Sequence, residues 1–317
     1  MAEVNPNVNE VNPGETEENP GETEENPGET EENPGETEEN PGETEENPDL
    51  EENPYLDDYN SSLNDGPVSR TSGVAPLAVH FFADFVDSAS GAERIDRYHH
   101  YDYTWNFGDT GSGIWGTSGR SKNMAKGANA VHIFEEGGVY NITLTIRNHS
   151  GIVGTENYTV TVTDPDSFYN GNTVCVNRSG DNNFSGAPAG ALQINSDSIS
   201  TITQYAKAGN RILFKRGSSW TTAGLDWPSN AGPVTIGAYG TGVNPDALGI
   251  YENAPRITVT SGSFLPLGYK QDWRLMDIHF IDASGYTANC VSGSVNMQRQ
   301  LLLRLKVEGF SSGIGWS

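Results

Sequence analysis

Pairs of apolar residues recur through the last third of the 317-residue chain, at intervals of 21 to 27 residues. In each pair two apolar side chains flank one intervening residue, a period of two that is typical of a half-buried β-strand. The pairs are Ile212/Phe214, Val234/Ile236, Ile257/Val259, Ile278/Phe280 and Leu305/Val307. Repeats of about 20–30 residues with one strand each are the signature of a solenoid. The pairs are therefore predicted to be successive rungs of parallel β-structure.

The two ends of this repetitive region carry further expectations. Residues 198–208 (SISTITQYAKA) are amphipathic and stop at Gly209-Asn210, so we predict a short helix there. Such a helix would cap the open end of the solenoid, whose first rung otherwise leaves a strand edge unpaired. The last apolar pair lies close to the end of the sequence, and we expect further rungs in a longer protein.

A seven-residue repeat, NPGETEE, dominates the N-terminal part of the chain. Residues 1–58 hold 22 of the 43 acidic residues and no Lys or Arg, whereas the remaining 259 residues hold 21 acidic and 18 basic ones. A Pro in every repeat forbids a continuous helix, and nothing apolar is available to form a core. We predict a disordered acidic spacer over residues 1–62; a weak calcium-binding or partner-binding role for it stays open.

Several classes of protein are excluded by what the sequence lacks. No run approaches the roughly 18 apolar residues of a membrane-spanning helix, so no membrane insertion is expected. No basic patch is present, and the acidic repeat would repel phosphates, so no nucleic-acid partner is expected. Cys175 and Cys290 are too few for a disulfide framework or a four-thiolate zinc site. One bridge or two buried free thiols both remain possible.

The middle of the chain consists of alternating apolar segments bounded by Gly, Asn, Asp and Ser. The clearest are residues 77–81 (LAVHF), 140–146 (YNITLTI) and 158–162 (YTVTV). Alternation rich in Thr, Val, Ile and Tyr predicts half-buried antiparallel strands. About 100 residues of such strands predict a small β-sandwich.

This segment resembles the polycystic-kidney-disease (PKD) domain, an immunoglobulin-like sandwich of cell-surface and secreted proteins. Residues 105–109 (WNFGD) are similar to the family's W-x-F-G-D, and residues 132–134 (HIF) to its H-x-Y/F. Residues 138–146 (GVYNITLTI) follow its G-x-Y-x-V-x-L-x-V pattern. The chain departs from the family in a long insertion at 110–130. The resemblance implies a PKD-like domain over 66–165 that acts as an accessory spacer or binding module.

Within this domain we expect Trp105 in the core, since it alternates with a polar residue. Trp115, in the Gly/Ser-rich insertion, and Tyr101 are the candidates for a ligand contact. Adjacent histidines such as His99 and His100 would point to opposite faces of a strand and could not share one metal ion. An oxygen-rich calcium site is the candidate instead, the alternative being a polar loop; its carboxylates would come from Asp84, Asp87, Asp102 and Asp109.

Residues 170–317 resemble the N-terminal part of right-handed parallel β-helix proteins of the pectate-lyase-like group. The resemblance is carried by residues 173–177 (TVCVN), 209–217 (GNRILFKRG) and 232–240 (GPVTIGAYG). It implies a partial right-handed parallel β-helix with a carbohydrate groove, so the whole chain is expected to be all-β. The fold hosts lyases, hydrolases, adhesins and phage tailspikes, so it does not fix the chemistry.

The last two rungs supply the candidate catalytic residues. Their 27-residue step places Asp277 beside Arg304 and His279 beside Lys306, on strands about 4.8 Å apart and facing outward. An acid with two cations suits proton abstraction from a uronic acid, as in a polysaccharide lyase, or the work of a glycoside hydrolase. The alternative is an ordinary ladder of opposite surface charges. The resemblance implies that the family's catalytic rungs lie beyond this chain.

These patterns favour an extracellular or surface-associated modular protein that binds or processes a polysaccharide or cell-surface glycan. A spacer would precede the PKD-like domain, and the β-helix would carry the carbohydrate groove. The alternative is a non-enzymatic adhesin or a virion or tail fibre, in which the β-helix is structural and homo-oligomeric.

Overall fold

A computed structural model of the chain describes residues 67–83, 100–229, 231–285, 289–293 and 297–316. These residues form mostly β-strands, with one four-residue helix, α1 (Pro165–Phe168), and two single 3-10 turns. The all-β expectation is therefore confirmed for the described residues. The spacer predicted over residues 1–62 lies outside the described residues. No helix within the described ranges has the length and apolar character to cross a membrane.

The first seven strands form two sheets. They are β1 (Ser72–Val74), β2 (Leu77–Phe82), β3 (Asp102–Asn106), β4 (Met124–Lys126), β5 (Asn129–Phe134), β6 (Gly138–Asn148) and β7 (Gly151–Thr163). One sheet has the order β1-β7-β6-β3-β4 and the other is the pair β2-β5. Neighbouring strands are antiparallel except β1 and β7, which are parallel. We call residues 67–83 and 100–163 the antiparallel region.

Alternate residues of these strands enter one core that the two sheets share. Trp105 is fully buried, and its indole N–H donates to the carbonyl oxygen of Gly127 at 2.9 Å. Phe81 of the two-stranded sheet packs on it, with ring centroids 5.5 Å apart. The core position predicted for Trp105 is confirmed. The next residues, Gly108 with φ of 68° and Asp109, turn the chain out of β3.

The remaining strands of the described residues pair only in parallel. They are β8 (Thr173–Asn177), β9 (Leu192–Asn195), β10 (Arg211–Lys215), β11 (Ser219–Thr222), β12 (Ala231–Tyr239), β13 (Arg256–Val259), β14 (Ser263–Pro266), β15 (Gln271–Met276), β16 (His279–Asp282), β17 (Asn289–Gly293), β18 (Leu301–Leu303), β19 (Lys306–Glu308) and β20 (Ser312–Trp316). They form a long sheet of the order β18-β15-β12-β10-β8-β9, a middle sheet β11-β13-β16-β19 and a short sheet β14-β17-β20. We call the described residues between 173 and 316 the parallel region.

The chain visits these sheets in a repeating order. β15, β16 and β17 lie in the long, middle and short sheets, and β18, β19 and β20 repeat that order and pair with them one by one. The apolar residues of all three sheets pack into one core, which includes Trp220, Trp227 and Trp273. Each repeat of this order therefore contributes up to three strands.

Two sequence predictions are wrong in detail. The five apolar pairs are not successive rungs of one sheet: the first two lie in the long sheet and the third in the middle sheet. Of the last two pairs only Phe280 and Val307 lie in strands of the middle sheet, whereas Ile278 and Leu305 precede those strands. The helix predicted over 198–208 is replaced by the 3-10 turns Ile199–Thr201 and Thr203–Tyr205. Hydroxyl groups there bond to nearby carbonyl oxygens, as Thr201 does to Ser198 at 2.8 Å. Such local bonds compete with a regular helix.

Candidate functional site

Asp277 and Arg304 occupy equivalent corners between the long and middle sheets. Asp277 lies between β15 and β16, and Arg304 between β18 and β19. Their φ angles are 61° and 50°, a left-handed conformation that side chains disfavour and that bends the chain sharply. The flanking registers, Met276 to Leu303 and His279 to Lys306, stack one corner on the other. The neighbours predicted from the 27-residue step are thus present.

The two corner residues form a buried ion pair. Arg304 donates from Nε to Oδ1 of Asp277 at 2.6 Å and from Nη2 to Oδ2 at 3.1 Å. Arg216 brings a second guanidinium to within 3.6 Å of Oδ2. The Asp277 side chain is only 5% exposed, so the open outward face predicted for it is wrong. A carboxylate shared by two guanidiniums is poorly suited to act as a base or a calcium ligand.

Arg304 also reaches the antiparallel region. Its Nη1 donates to Oε2 of Glu135, which follows β5. Burial alone would lower the pKa of Arg304, but the hydrogen bonds and charges of Asp277 and Glu135 outweigh it and raise that pKa above its ordinary value. Arg304 therefore stays charged and connects the two regions, which lie within one compact unit of the chain.

A row of basic residues crosses the middle sheet beside this corner. Arg256, His279 and Lys306 are register neighbours on β13, β16 and β19. The Nε2 of His279 donates to Oε2 of Glu308 at 3.0 Å, and Lys306 Nζ lies 2.5 Å from Oε1 of the same carboxylate. Burial lowers the pKa of His279, and Glu308 opposes that shift only in part. The imidazole is therefore neutral at pH 7.

Residues 241–253, which we call the covering loop, fold back over this face. Oδ1 of Asp246 accepts from the backbone N–H groups of Leu248 and Ile250, at 2.8 and 2.9 Å. Gly249, with φ of 80°, lies on Arg304, since a Cβ there would sit 3.3 Å from its Cδ. These hydrogen bonds stabilise the shape of the loop, and Oδ1 of Asp246 is occupied by them.

A cleft of about 350 Å³ opens between the covering loop and the basic row. The ring of Tyr251 forms part of its wall, with the guanidinium carbon of Arg216 4.4 Å from the ring centroid. The cleft thus combines an aromatic ring with charges of both signs. It is lined by Asn244, Asp246, Ile250, Tyr251, Glu252, Arg256, His279 and Lys306.

The sequence prediction therefore found two of the lining residues, His279 and Lys306, and missed the other six. Arg256 is the register neighbour of His279. The sequence prediction missed it because the intervals between the apolar pairs do not align Arg256 with His279. The covering loop contains an Asn-Pro-Asp segment, residues 244–246, that signals a loop. Nothing in that local signal tells which surface the loop covers.

Trp115 lies in a hairpin of the antiparallel region that touches the covering loop. An antiparallel bridge between Ile114 and Ser121 closes the hairpin. Trp115 is 53% exposed, with Lys122 Nζ 5.3 Å from its ring centroid. Gly116 lies so close to the covering loop that a Cβ would be 2.3 Å from the carbonyl oxygen of Ala247. Trp115 is therefore a neighbour of the loop that walls the cleft.

Tyr101, the other predicted ligand contact, precedes β3 in the antiparallel region. It is half-buried and packs against the core of the antiparallel region. Its position fits a side chain that closes the edge of that core.

The two predicted calcium carboxylates that the structure describes, Asp102 and Asp109, are not brought together. Asp84 and Asp87 lie outside the described residues. Asp102 begins β3 and Asp109 follows its far end, and a five-residue strand alone spans roughly 13 Å. Oδ2 of Asp109 is bound instead to Nε2 of His132, at 2.9 Å. In the ranges described, no group of three or more His, Cys, Asp or Glu is placed to hold a metal ion.

Both cysteines are free and fully buried. Burial raises the pKa of the Cys175 thiol and of the Cys290 thiol to about 12. Neither is a nucleophile at neutral pH, since the thiolate is the reactive form.

A family model for the PKD domain matches residues 78–163. The match runs from the second residue of β2 to the last residue of β7, so it includes the WNFGD motif and the hairpin that carries Trp115. This supports the predicted resemblance for the antiparallel region.

Proposed function

We propose that this chain is a modular carbohydrate-binding protein of an extracellular, cell-surface or virion setting, and that the cleft binds an acidic saccharide. The PKD domain would serve as an accessory module. The observation that carries the proposal is the row of Arg256, His279 and Lys306 facing Tyr251 across a cleft of about 350 Å³. The cations of this row, Arg256 and Lys306, suit a uronate carboxylate, and an aromatic ring suits the apolar face of a sugar.

We also propose that the three parallel sheets are the faces of a right-handed parallel β-helix. The support is the repeated order of long, middle and short sheet along the chain. Right-handed connections are the rule between parallel strands of one sheet. In such a helix the row lies on one outer face and would follow a polymer chain laid across successive turns.

Binding is favoured over lyase or hydrolase chemistry. Asp277 is shared by Arg304 and Arg216, and His279 and Lys306 both contact Glu308. These contacts tie up the groups that would abstract a proton. The same observation supports the alternative of a non-enzymatic adhesin or fibre, whose parallel region would be trimeric; sedimentation velocity separates that alternative from a monomeric binder.

Isothermal titration calorimetry with oligogalacturonate tests the binding proposal, with a neutral cello-oligosaccharide as the ligand control. We expect saturable binding of the acidic ligand only. Arg256→Gln, at an exposed position, should weaken the affinity for oligogalacturonate about tenfold, which corresponds to about 1.4 kcal/mol of binding free energy. Arg147→Gln, an exposed arginine on β6, should leave it unchanged. Equal affinity for both ligands, or none, would contradict the proposal.

Lyase activity has its own readout. A lyase cleaves a polyuronate by elimination and leaves an unsaturated uronate, whose conjugated double bond absorbs in the ultraviolet. We expect no such absorbance with polygalacturonate. A clear rise that Asp277→Asn abolishes would instead establish catalysis at the corner pair.

A further inference from the structure

A second charged site lies on the long sheet, on the face away from its core. Arg274 of β15 alternates with Trp273 and Leu275, both of which enter the core, so its side chain faces the other way. It is nevertheless only 2% exposed. Tyr169, which follows α1, covers this face, and its hydroxyl lies 2.9 Å from Oγ1 of Thr235, the register neighbour of Arg274.

Four guanidinium groups gather at this place, which we call the arginine cluster: Arg70, Arg211, Arg274 and Arg299. Arg274 Nη2 and Arg70 Nη1 share one oxygen, Oδ1 of Asp272, at 3.1 and 3.6 Å. Burial lowers the pKa of Arg70, and the charges of Arg274 and Arg299 lower it further against the opposing charge of Asp272. Arg211 stacks over the ring of Tyr169 at 5.3 Å.

The cluster holds more positive than negative charge. Arg211 is paired with Asp166 at 2.6 Å, and Asp272 is the other carboxylate that the described residues place on these arginines. Four cations therefore face two anions. Nη1 of Arg274 is buried and has no hydrogen-bond partner in the described part of the chain. Leaving a charged donor buried and unbonded is strongly unfavourable.

We propose that the arginine cluster binds a small oxyanion of the sulfate or phosphate class, held by Nη1 of Arg274 and by Arg70 and Arg299. Guanidinium groups donate in a fixed fork that matches oxyanions. The depth of Arg274 favours a free inorganic anion over a group on a polymer. Arg70 precedes β1, whereas Arg274 lies on β15, so the anion would bind the antiparallel region to the parallel region. This site is separate from the saccharide cleft.

Thermal unfolding of the full chain with low-millimolar sodium sulfate or phosphate tests the proposal, against sodium chloride at equal ionic strength. The low concentration avoids the general stabilisation that concentrated sulfate gives to proteins. We expect a saturable rise in Tm, on the order of 5 °C once the anion exceeds its Kd about a hundredfold. Chloride should give no saturable rise.

Variants locate the effect. Arg299→Gln, at an exposed position, and Arg70→Gln should each weaken the apparent anion affinity about tenfold, whereas Arg147→Gln on β6 should not change it. Arg274→Lys keeps a positive charge but loses the forked guanidinium group. It should reduce the sulfate-induced rise in Tm by more than it lowers the Tm measured without anion. The proposal is overturned if sulfate and chloride give the same Tm, or if Arg299→Gln and Arg147→Gln respond alike.

Discussion

The carboxylate of Asp277 accepts two hydrogen bonds from the guanidinium of Arg304, at 2.6 and 3.1 Å. Both residues bend the chain between the same two sheets, one turn apart. The pair therefore joins successive corners of the parallel region, and through Glu135 it reaches the antiparallel region.

Asp277→Ala should lower the free energy of unfolding by about 3 kcal/mol, because it leaves Arg304 and Arg216 buried without their shared carboxylate. Urea denaturation measures the change. Glu135→Gln is the matched control: its carboxylate is 44% exposed, so the loss should stay below about 1 kcal/mol. Equal losses for the two variants would mean that the corner pair is not the stronger contact.

Gly116→Ala should destabilise the protein by about 1–3 kcal/mol, because the new Cβ would lie 2.3 Å from the carbonyl oxygen of Ala247. Gly111→Ala, in the turn that precedes this hairpin, is the control, since its Cβ would meet nothing closer than 3.9 Å. Thermal unfolding compares the two. If Gly116→Ala is as stable as Gly111→Ala, the hairpin does not press on the covering loop.

Stability should fall as the pH drops below about 6.5. Burial lowers the pKa of His132 and of His279 below the ordinary value of 6.5, so the unfolded chain binds protons first. Their contribution is complete above pH 6.5 and is lost progressively below it. Urea denaturation at a series of pH values measures the slope. His132→Gln, which can still donate to Asp109, should flatten it; an unchanged slope would exclude His132 as a source.

The native protein should react with Ellman's reagent at neither thiol over the time of a normal assay. Cys175 and Cys290 are fully buried and burial raises the pKa of each to about 12. In denaturant without reductant two thiols per chain should react, since both cysteines are free. Fewer than two would indicate a disulfide, and rapid reaction in the native state would indicate an accessible thiol.

The sequence predicts most of what depends on local pattern. Alternation around Trp105 places that side chain in the core, and the 27-residue step pairs Asp277 with Arg304. Both succeed because strand periodicity and strand spacing are fixed by backbone geometry.

Features that depend on bends and on distant contacts are not predictable in this way. The segment LMDIHFID reads as one strand, yet Asp277 divides it between two sheets. The covering loop depends on the bonds of Asp246, and the orphan donor of Arg274 is visible only once Tyr169 covers it. Alternation in the sequence predicts on which face of a strand a side chain lies. It does not predict which distant segment packs over that face.

The pairing of the middle sheet bears on how far the effect of a substitution can spread. β16 bonds to β13 on one side and to β19 on the other. In a β-helix of the kind proposed above, each turn would contact the turns next to it, and stability would be close to a sum of local and nearest-neighbour contributions. A destabilising substitution in one turn would then speed hydrogen exchange in that turn and its two neighbours, while distant turns would keep their protection.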